Sequence, residues 1–312
     1  MVDFYSLALA KKEATYGVDS VPTAAANAAL TRNLTVKPIA TDRIDRNLDR
    51  PVRGRRKDAV SNQRQTVSYE LEAAGSGAAG TAPAWMEHLE FCGMAVPTLT
   101  AATSAVQRFA ALGTALSSGT LYTWNGNQKR VGLGARGTFS FDFTANAYPF
   151  FKIDLTALLP TANPVTDANP PAPDLTRWID PVEVNTANTD FSLGGYSPVL
   201  KSITGDANAN VKARNLVGAN YIQRGNHGIT GRIVIEATTI AQKNYFTNLQ
   251  VGDEIAFTLT HGVDPGNIVE LASTHLQVTD IEQSNEDDVL LMTISYGLNV
   301  GATNDDLVIT AR

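Results

Sequence analysis

Few residues in this sequence stand at spacings that chemistry requires. Gly132-Leu133-Gly134-Ala135-Arg136-Gly137 matches the glycine pattern that lets a backbone turn approach a dinucleotide pyrophosphate. That use needs a helix after the glycines, and Thr138 to Thr144 read as a strand, so the run is assigned to a bend or turn between strands. His88 and Cys92 stand at i and i+4 and could supply two metal ligands, but a zinc site takes three or four and no further His or Cys clusters nearby. They read as a satisfied, part-buried pair. Gly75-Ser76-Gly77 lacks the G-x-S-x-G spacing of a nucleophile elbow, and His261 in Leu259-Thr260-His261-Gly262 reads as a strand-end residue. Glu70, Glu72 and Asp142 fall on polar strand faces, where charges are ordinarily solvated. No catalytic residue, cofactor or metal is assigned, and an enzyme is not expected.

The elements that carry these residues are mainly strands. Val67, Tyr69 and Leu71 alternate with Thr66, Ser68, Glu70 and Glu72; Phe139, Phe141 and Phe143 alternate with Thr138, Ser140, Asp142 and Thr144; Met292, Ile294, Tyr296 and Leu298 alternate with Thr293 and Ser295. Period two marks half-buried strands of antiparallel sheets. Two segments have helical spacing instead: Ala84 to Cys92, with Trp85, His88, Leu89 and Cys92 on one face, and Ile240 to Leu249, with Tyr245, Phe246 and Leu249.

Each candidate helix follows a strand that ends in an aliphatic residue and Glu, which suggests an internal repeat. Both halves run in the same order: a first strand (Leu34 to Ile39; Val199 to Ile203), a polar excursion, a second strand (Gln65 to Glu72; Gly231 to Glu236), a short helix, further strands and a closing strand (Phe150 to Leu158; Leu290 to Leu298). Glu72 and Glu236 lie 164 residues apart and Leu158 and Leu298 lie 140 apart, so the first half holds about two dozen extra residues, assigned to Ala95 to Gly119. Pro160, Pro164, Pro170, Pro171 and Pro173 suggest an extended connection between the halves. The expected organisation is an N-terminal arm at 1–30, a first domain at 31–159, a Pro-rich linker at 160–180 and a second domain at 181–312.

Composition narrows the function classes. Hydrophobic residues are 43% and charged ones 18% of 312, which suits a folded chain. A single cysteine excludes an intrachain disulfide framework, and no segment approaches the roughly 20 apolar residues of a membrane span. The expectation is a soluble, unexported protein without membrane binding. The net charge of −6 argues against generic nucleic-acid binding. Its distribution is uneven: Asp42 to Arg64 holds eight bases (Arg43, Arg46, Arg50, Arg53, Arg55, Arg56, Lys57, Arg64) against four acids, a net of +4, which leaves −10 on the rest. The segment has no aromatic residues to stack bases, so it reads as a loop reaching a neighbouring subunit. Asp280, Glu282, Glu286, Asp287 and Asp288 form a candidate acidic partner.

The sequence also resembles siphophage tail tube proteins, or major tail proteins. The likeness lies in the order and spacing of Lys12-Glu13-Ala14-Thr15-Tyr16-Gly17, Asn33-Leu34-Thr35-Val36-Lys37-Pro38 and Arg46-Asn47-Leu48-Asp49-Arg50-Pro51. It continues through Ala73-Ala74-Gly75-Ser76-Gly77, Gly80-Thr81-Ala82-Pro83-Ala84-Trp85, Gly134-Ala135-Arg136-Gly137-Thr138, Asn185-Thr186-Ala187-Asn188-Thr189 and Leu259-Thr260-His261-Gly262. The resemblance implies two tandem tube domains of β-sandwich or barrel type, each with a short flanking helix, and a long basic loop in the first. It implies a structural virion subunit, made in the host cytoplasm, that self-assembles into stacked rings around the path of DNA ejection. Genomic DNA would be met only in transit. Tape measure, tail terminator and distal tail or initiator proteins would be partners. With two domains per chain, a homotrimeric, pseudo-sixfold ring is expected, with Glu70, Glu72 and Asp142 as candidate lumen-facing residues. The inner tube of a contractile injection machine and a carbohydrate-binding β-sandwich are the alternatives.

Overall fold

The computed structural model describes residues 5–49 and 51–312 and is mainly β. The first half contains β1 (Ser6–Lys12), α1 (Ala24–Asn27), β2 (Ala28–Ala29), β3 (Arg32–Ile44), β4 (Ala59–Glu72), α2 (Ala84–Phe91), β5 (Thr98–Thr100), β6 (Ser104–Gln107), β7 (Gly119–Asn125), β8 (Gln128–Thr144), β9 (Phe150–Leu158) and β10 (Val165–Asp167). The second contains β11 (Thr189–Leu193), β12 (Leu200–Asp206), β13 (Val211–Leu216), β14 (Ala219–Arg224), β15 (Thr230–Glu236), α3 (Tyr245–Val251), β16 (Glu254–His261), β17 (Val269–Glu286), β18 (Val289–Leu298) and β19 (Val308–Ala311).

Period-two alternation produces the strands it foretells. Val67, Tyr69 and Leu71 of β4 and Phe139, Phe141 and Phe143 of β8 are buried on one face, while Thr66, Ser68, Glu70, Ser140 and Asp142 stand half-buried on the other. The apolar face is closed by the helices. Pro83 precedes α2, which seats Trp85 against Phe151 with ring centroids 4.7 Å apart, and the Trp85 Nε1 donates to the Ala74 carbonyl at 2.6 Å. α3 starts later than its spacing suggested, at Tyr245, because the Asn244 side chain accepts the Thr247 amide as an N-cap; Gly252, at φ 79°, ends it.

Strand pairing repeats between the halves. β3, β4, β9 and β8 are hydrogen-bonded in that order, and so are β12, β15, β18 and β17. β8 continues onto β7 and β10, as β17 continues onto β16 and β19; β1 adds to β7 as β11 adds to β16. The two sets are joined directly, because β8 also pairs with β12. Eight strands thus form one continuous ladder, and one core runs beneath both halves. At the junction the Phe141 ring lies where a Cβ on Gly205 would stand, so only glycine fits there.

Two expectations change, and the insertion of the first half acquires a structure. The N-terminal stretch read as an arm supplies β1, whose Leu7 to Ala10 are buried, because they pair with β7 on a sheet edge. The Pro-rich stretch is not a free linker: β10 pairs with β8, and Trp178 donates from Nε1 to the Ala28 carbonyl at 2.9 Å. The extra residues of the first half hold β5 and β6, and β6 pairs with β19, tying that half to the other.

Glu13 directly follows β1 as a buried carboxylate. It accepts from Ser118 Oγ at 2.7 Å, Thr120 Oγ1 at 3.0 Å, and the amides of Gly134 at 2.7 Å and Gly17 at 2.8 Å. It therefore fastens β1 to β7 and to the bend in β8. Charge-assisted bonds contribute about 1.5–3 kcal/mol each, and orphaned donors add a penalty. Glu13→Ala is expected to lower unfolding free energy by about 3–5 kcal/mol in urea melts. A loss below about 1 kcal/mol would show that the clamp is not structural.

Candidate assembly interface

Residues paired across an antiparallel ladder share a face. One such row runs Glu72, Phe150, Asp142, Thr204, Arg232, Ser295, Asp280, and the next runs Glu70, Lys152, Ser140, Asp206, Thr230, Gly297, Gln277. The structure therefore brings Glu70, Glu72 and Asp142 onto one polar face, spread over both halves, and adds Asp280 to it. Glu282, opposite Thr293, belongs to the same face. Glu70 accepts from Arg32 Nε at 2.7 Å and from Asn33, and Asp142 accepts from Thr144 Oγ1 at 2.6 Å.

The ladder ends in two edges that find no strand among the described residues. β3 pairs with β4 alone. β17 is flanked on both sides as far as Gln277, but from Asp280 to Glu286 it pairs only with β18. An open edge presents unpaired amides and carbonyls to another chain.

The basic segment is a hairpin rather than a plain loop, since β3 and β4 extend to Ile44 and Ala59 before the turn. Arg43, Arg46, Arg53 and Lys57 are exposed, Arg56 is half-buried, and Arg50 lies outside the described residues. Arg55 meets Asp58 at 3.2 Å and Arg64 meets Asp42 at 3.1 Å. Ile44, Leu48, Val52 and Val60 leave an apolar component uncovered on the same hairpin. Glu286, Asp287 and Asp288 form the tip of the β17–β18 hairpin, where Glu286 meets Lys201. Within the chain the basic hairpin and this acidic set do not meet: among the described residues no ion pair joins them.

Two features escaped the sequence reading. The β13–β14 hairpin stands where the basic hairpin stands in the first half, and its segment 207–229 contains Lys212, Arg214 and Arg224 but no acid. That charge bias was a readable signal. It folds back on the first half: the Ile222 amide donates to Tyr16 Oη at 2.6 Å, Arg136 Nη1 donates to the Ile222 carbonyl at 3.2 Å, and the Ala209 amide donates to Thr138 Oγ1 at 3.1 Å. Second, Glu254 accepts from Asn299 at 2.8 Å and bonds His275 Nδ1 at 2.6 Å, with Asp305 at 3.8 Å from the same ring. The bond to His275 holds the Glu254 carboxyl below its usual range. These residues are scattered in sequence, so no local motif announces them.

The chemical motifs resolve as packing. Gly132 to Gly137 lie inside β8, not between two strands, and bend it: Gly134 has φ 60° and faces the Tyr16 ring, with a register shift between Leu133 and Arg136. His88 Nδ1 bonds Tyr69 Oη at 2.7 Å, and Cys92 Sγ donates to the Thr138 carbonyl at 3.2 Å. Burial pushes the His88 pKa down to about 3 and raises the Cys92 thiol. His261 spans Thr189 Oγ1 and the Val182 carbonyl.

A mainly β chain built on an eight-strand ladder with an unpaired strand edge at each end has the build of a structural subunit. Residues 6–298 match the family model described as phage tail tube protein, and the chain belongs to that family. It is a structural component of a bacteriophage virion tail. No curated protein matches the sequence.

The buried His88 has a measurable consequence. Unfolded, its imidazole takes up a proton near pH 6.5; folded, it resists until about 3. Protons therefore favour the unfolded chain, and stability falls as pH drops from 6.5 toward 3, by up to about 1.4 kcal/mol per pH unit from this group. His88→Gln is expected to be less stable at pH 7 and to show a shallower decline between pH 6 and 4. Parallel declines in urea unfolding would contradict this.

Proposed function

We propose that this chain is a tube subunit of a long, non-contractile phage tail, and that three copies close into a pseudo-sixfold ring whose stacked repeats form the conduit for the genome. The observation that carries the reading is the junction between the halves. There β8 of one repeat pairs with β12 of the next, and the edges left open, β17 and β3, are the counterparts of that same pair. Each repeat is read as one tube domain, 31–159 and 181–312.

The junction supplies a register for the contact between chains. Glu72 corresponds to Glu236 and Phe150 to Leu291, which makes Thr35 the counterpart of Thr204 and Ser284 that of Asp142. Thr204 pairs with Asp142 within the chain. Copied to a neighbour, the same geometry sets Thr35 opposite Ser284 and Lys37 opposite Glu282, a pair of opposite charges.

Magnitude favours three chains. Three copies of the eight-stranded ladder make a barrel of roughly 24 strands; at about 4.8 Å between strands and about 40° of tilt, its backbone is roughly 45 Å across. Lined by side chains, that admits one DNA duplex. Six copies would double the diameter. The polar face with Glu70, Glu72 and Asp142 then lines the lumen, where carboxylates repel phosphate within a Debye length of about 8 Å. Assembly in the host cytoplasm, against a tape measure, an initiator complex at the distal end and a terminator, belongs to the same reading.

Thr35→Cys with Ser284→Cys in one chain tests it. Oxidised assemblies are expected to yield covalent dimers and trimers on denaturing gels, with nothing larger. Ladders reaching six chains, or no crosslink, would contradict the ring of three.

A further inference from the structure

The two repeats differ most in their hairpins, and the difference points to a second contact between chains. In the second half the excursion between β12 and β15 folds as β13–β14 across the polar face of the first half, over Arg136 and Thr138 of β8, with Ile222 fully buried. Val211 and Ala209 border a groove there with Thr138, Asp154 and Thr156. In the first half the matching excursion, β3–β4, has no neighbouring domain to lie on. Its Ile44 and Val60 are 54% and 46% exposed.

We propose that the β3–β4 hairpin of one copy lies across the second half of the adjoining copy, over Gln277, Asp280, Ser295 and Gly297, as β13–β14 lies across the first half. The four residues are the counterparts of Arg136, Thr138, Asp154 and Thr156 by strand register, since Thr138 pairs with Asp154 and Asp280 with Ser295, and Arg136 pairs with Thr156 and Gln277 with Gly297. The occupant is a second copy of this chain.

Charge separates the two docking sites in the direction this requires. Where β13–β14 docks, the face offers the Arg136 guanidinium, the Thr138 hydroxyl and an Asp154 carboxylate that Lys152 meets at 3.7 Å. At the equivalent place in the second half stand Asp280 and, beside Gln277 through Asn299, the Glu254 carboxylate with Asp305 near it. The hairpin expected there is the more basic one, with Arg43, Arg46, Arg53, Arg55, Arg56 and Lys57. The apolar residues left uncovered would gain the burial that Ile222 already has.

The inference rests on the ring reading, so its test carries a separate control. A photo-reactive p-benzoylphenylalanine replaces Ile44 or, in a second variant, Val60; both sites are exposed, so the fold should tolerate them. Assemblies are formed from equal parts of natural-abundance and nitrogen-15 chains, irradiated and mapped by mass spectrometry. Adducts joining the hairpin of one copy to peptides within 272–282 or 293–300 of another are expected, and Asp280→Lys should lower their yield severalfold. Adducts confined to one chain, or falling on other surfaces, overturn the proposal. If the Thr35→Cys, Ser284→Cys crosslink forms in the same assemblies, the ring reading stands and the hairpin placement alone has failed. If neither forms, both have failed.

Discussion

A sheet edge left without a partner exposes a row of backbone amides and carbonyls, and that constraint orders most of what this chain does. Inside the chain it is met by β8, which runs 17 residues and gives its two sides to β7, β9, β10 and β12. Because β8 reaches across to β12, the halves share one ladder and one core rather than meeting through a linker. At the two ends of the eight-strand ladder, β3 and the far part of β17, the same constraint is not met. Closing them with further copies of the chain is the solution that needs no new kind of contact.

The repeat is one of topology more than of residues. Matching places can differ in burial as well as in residue: Phe141 is buried beside Gly205, and its counterpart Gln283 is exposed on the open edge. Surface positions diverge further. The Asp206 and Ser140 pair at the internal junction has Lys37 and Glu282 as counterparts, which would add charge where two separate chains must find one register. An internal junction already has its halves tethered and needs no such selectivity.

What the sequence disclosed follows from how much of each element is local. β4, β8 and β18 were readable because one face of each is buried and the other polar, so Tyr69, Phe141 and Ile294 alternate with Ser68, Ser140 and Thr293. β1 was not, because Leu7 to Ala10 are buried on both faces and carry no alternation. β5, β6 and β10 are short and rich in small residues or flanked by prolines, and they exist through their partners rather than through propensity. At the interface, the basic segment and the carboxylates Glu70, Glu72 and Asp142 were visible as charge. That the carboxylates share a face with Asp280 depends on β8 pairing with β12, which no local pattern encodes. Glu254, His275 and Asp305 come together only through β16 and β17 and the chain after β18.

The central claim is that the chain's own internal junction is the template for its contact with the next chain. A helical reconstruction of assembled tubes tests it most directly. Three chains per ring are predicted, with β17 of each hydrogen-bonded to β3 of the next and Thr35 opposite Ser284. Six chains per ring, or neighbouring subunits that meet through surfaces other than these two edges, would contradict it.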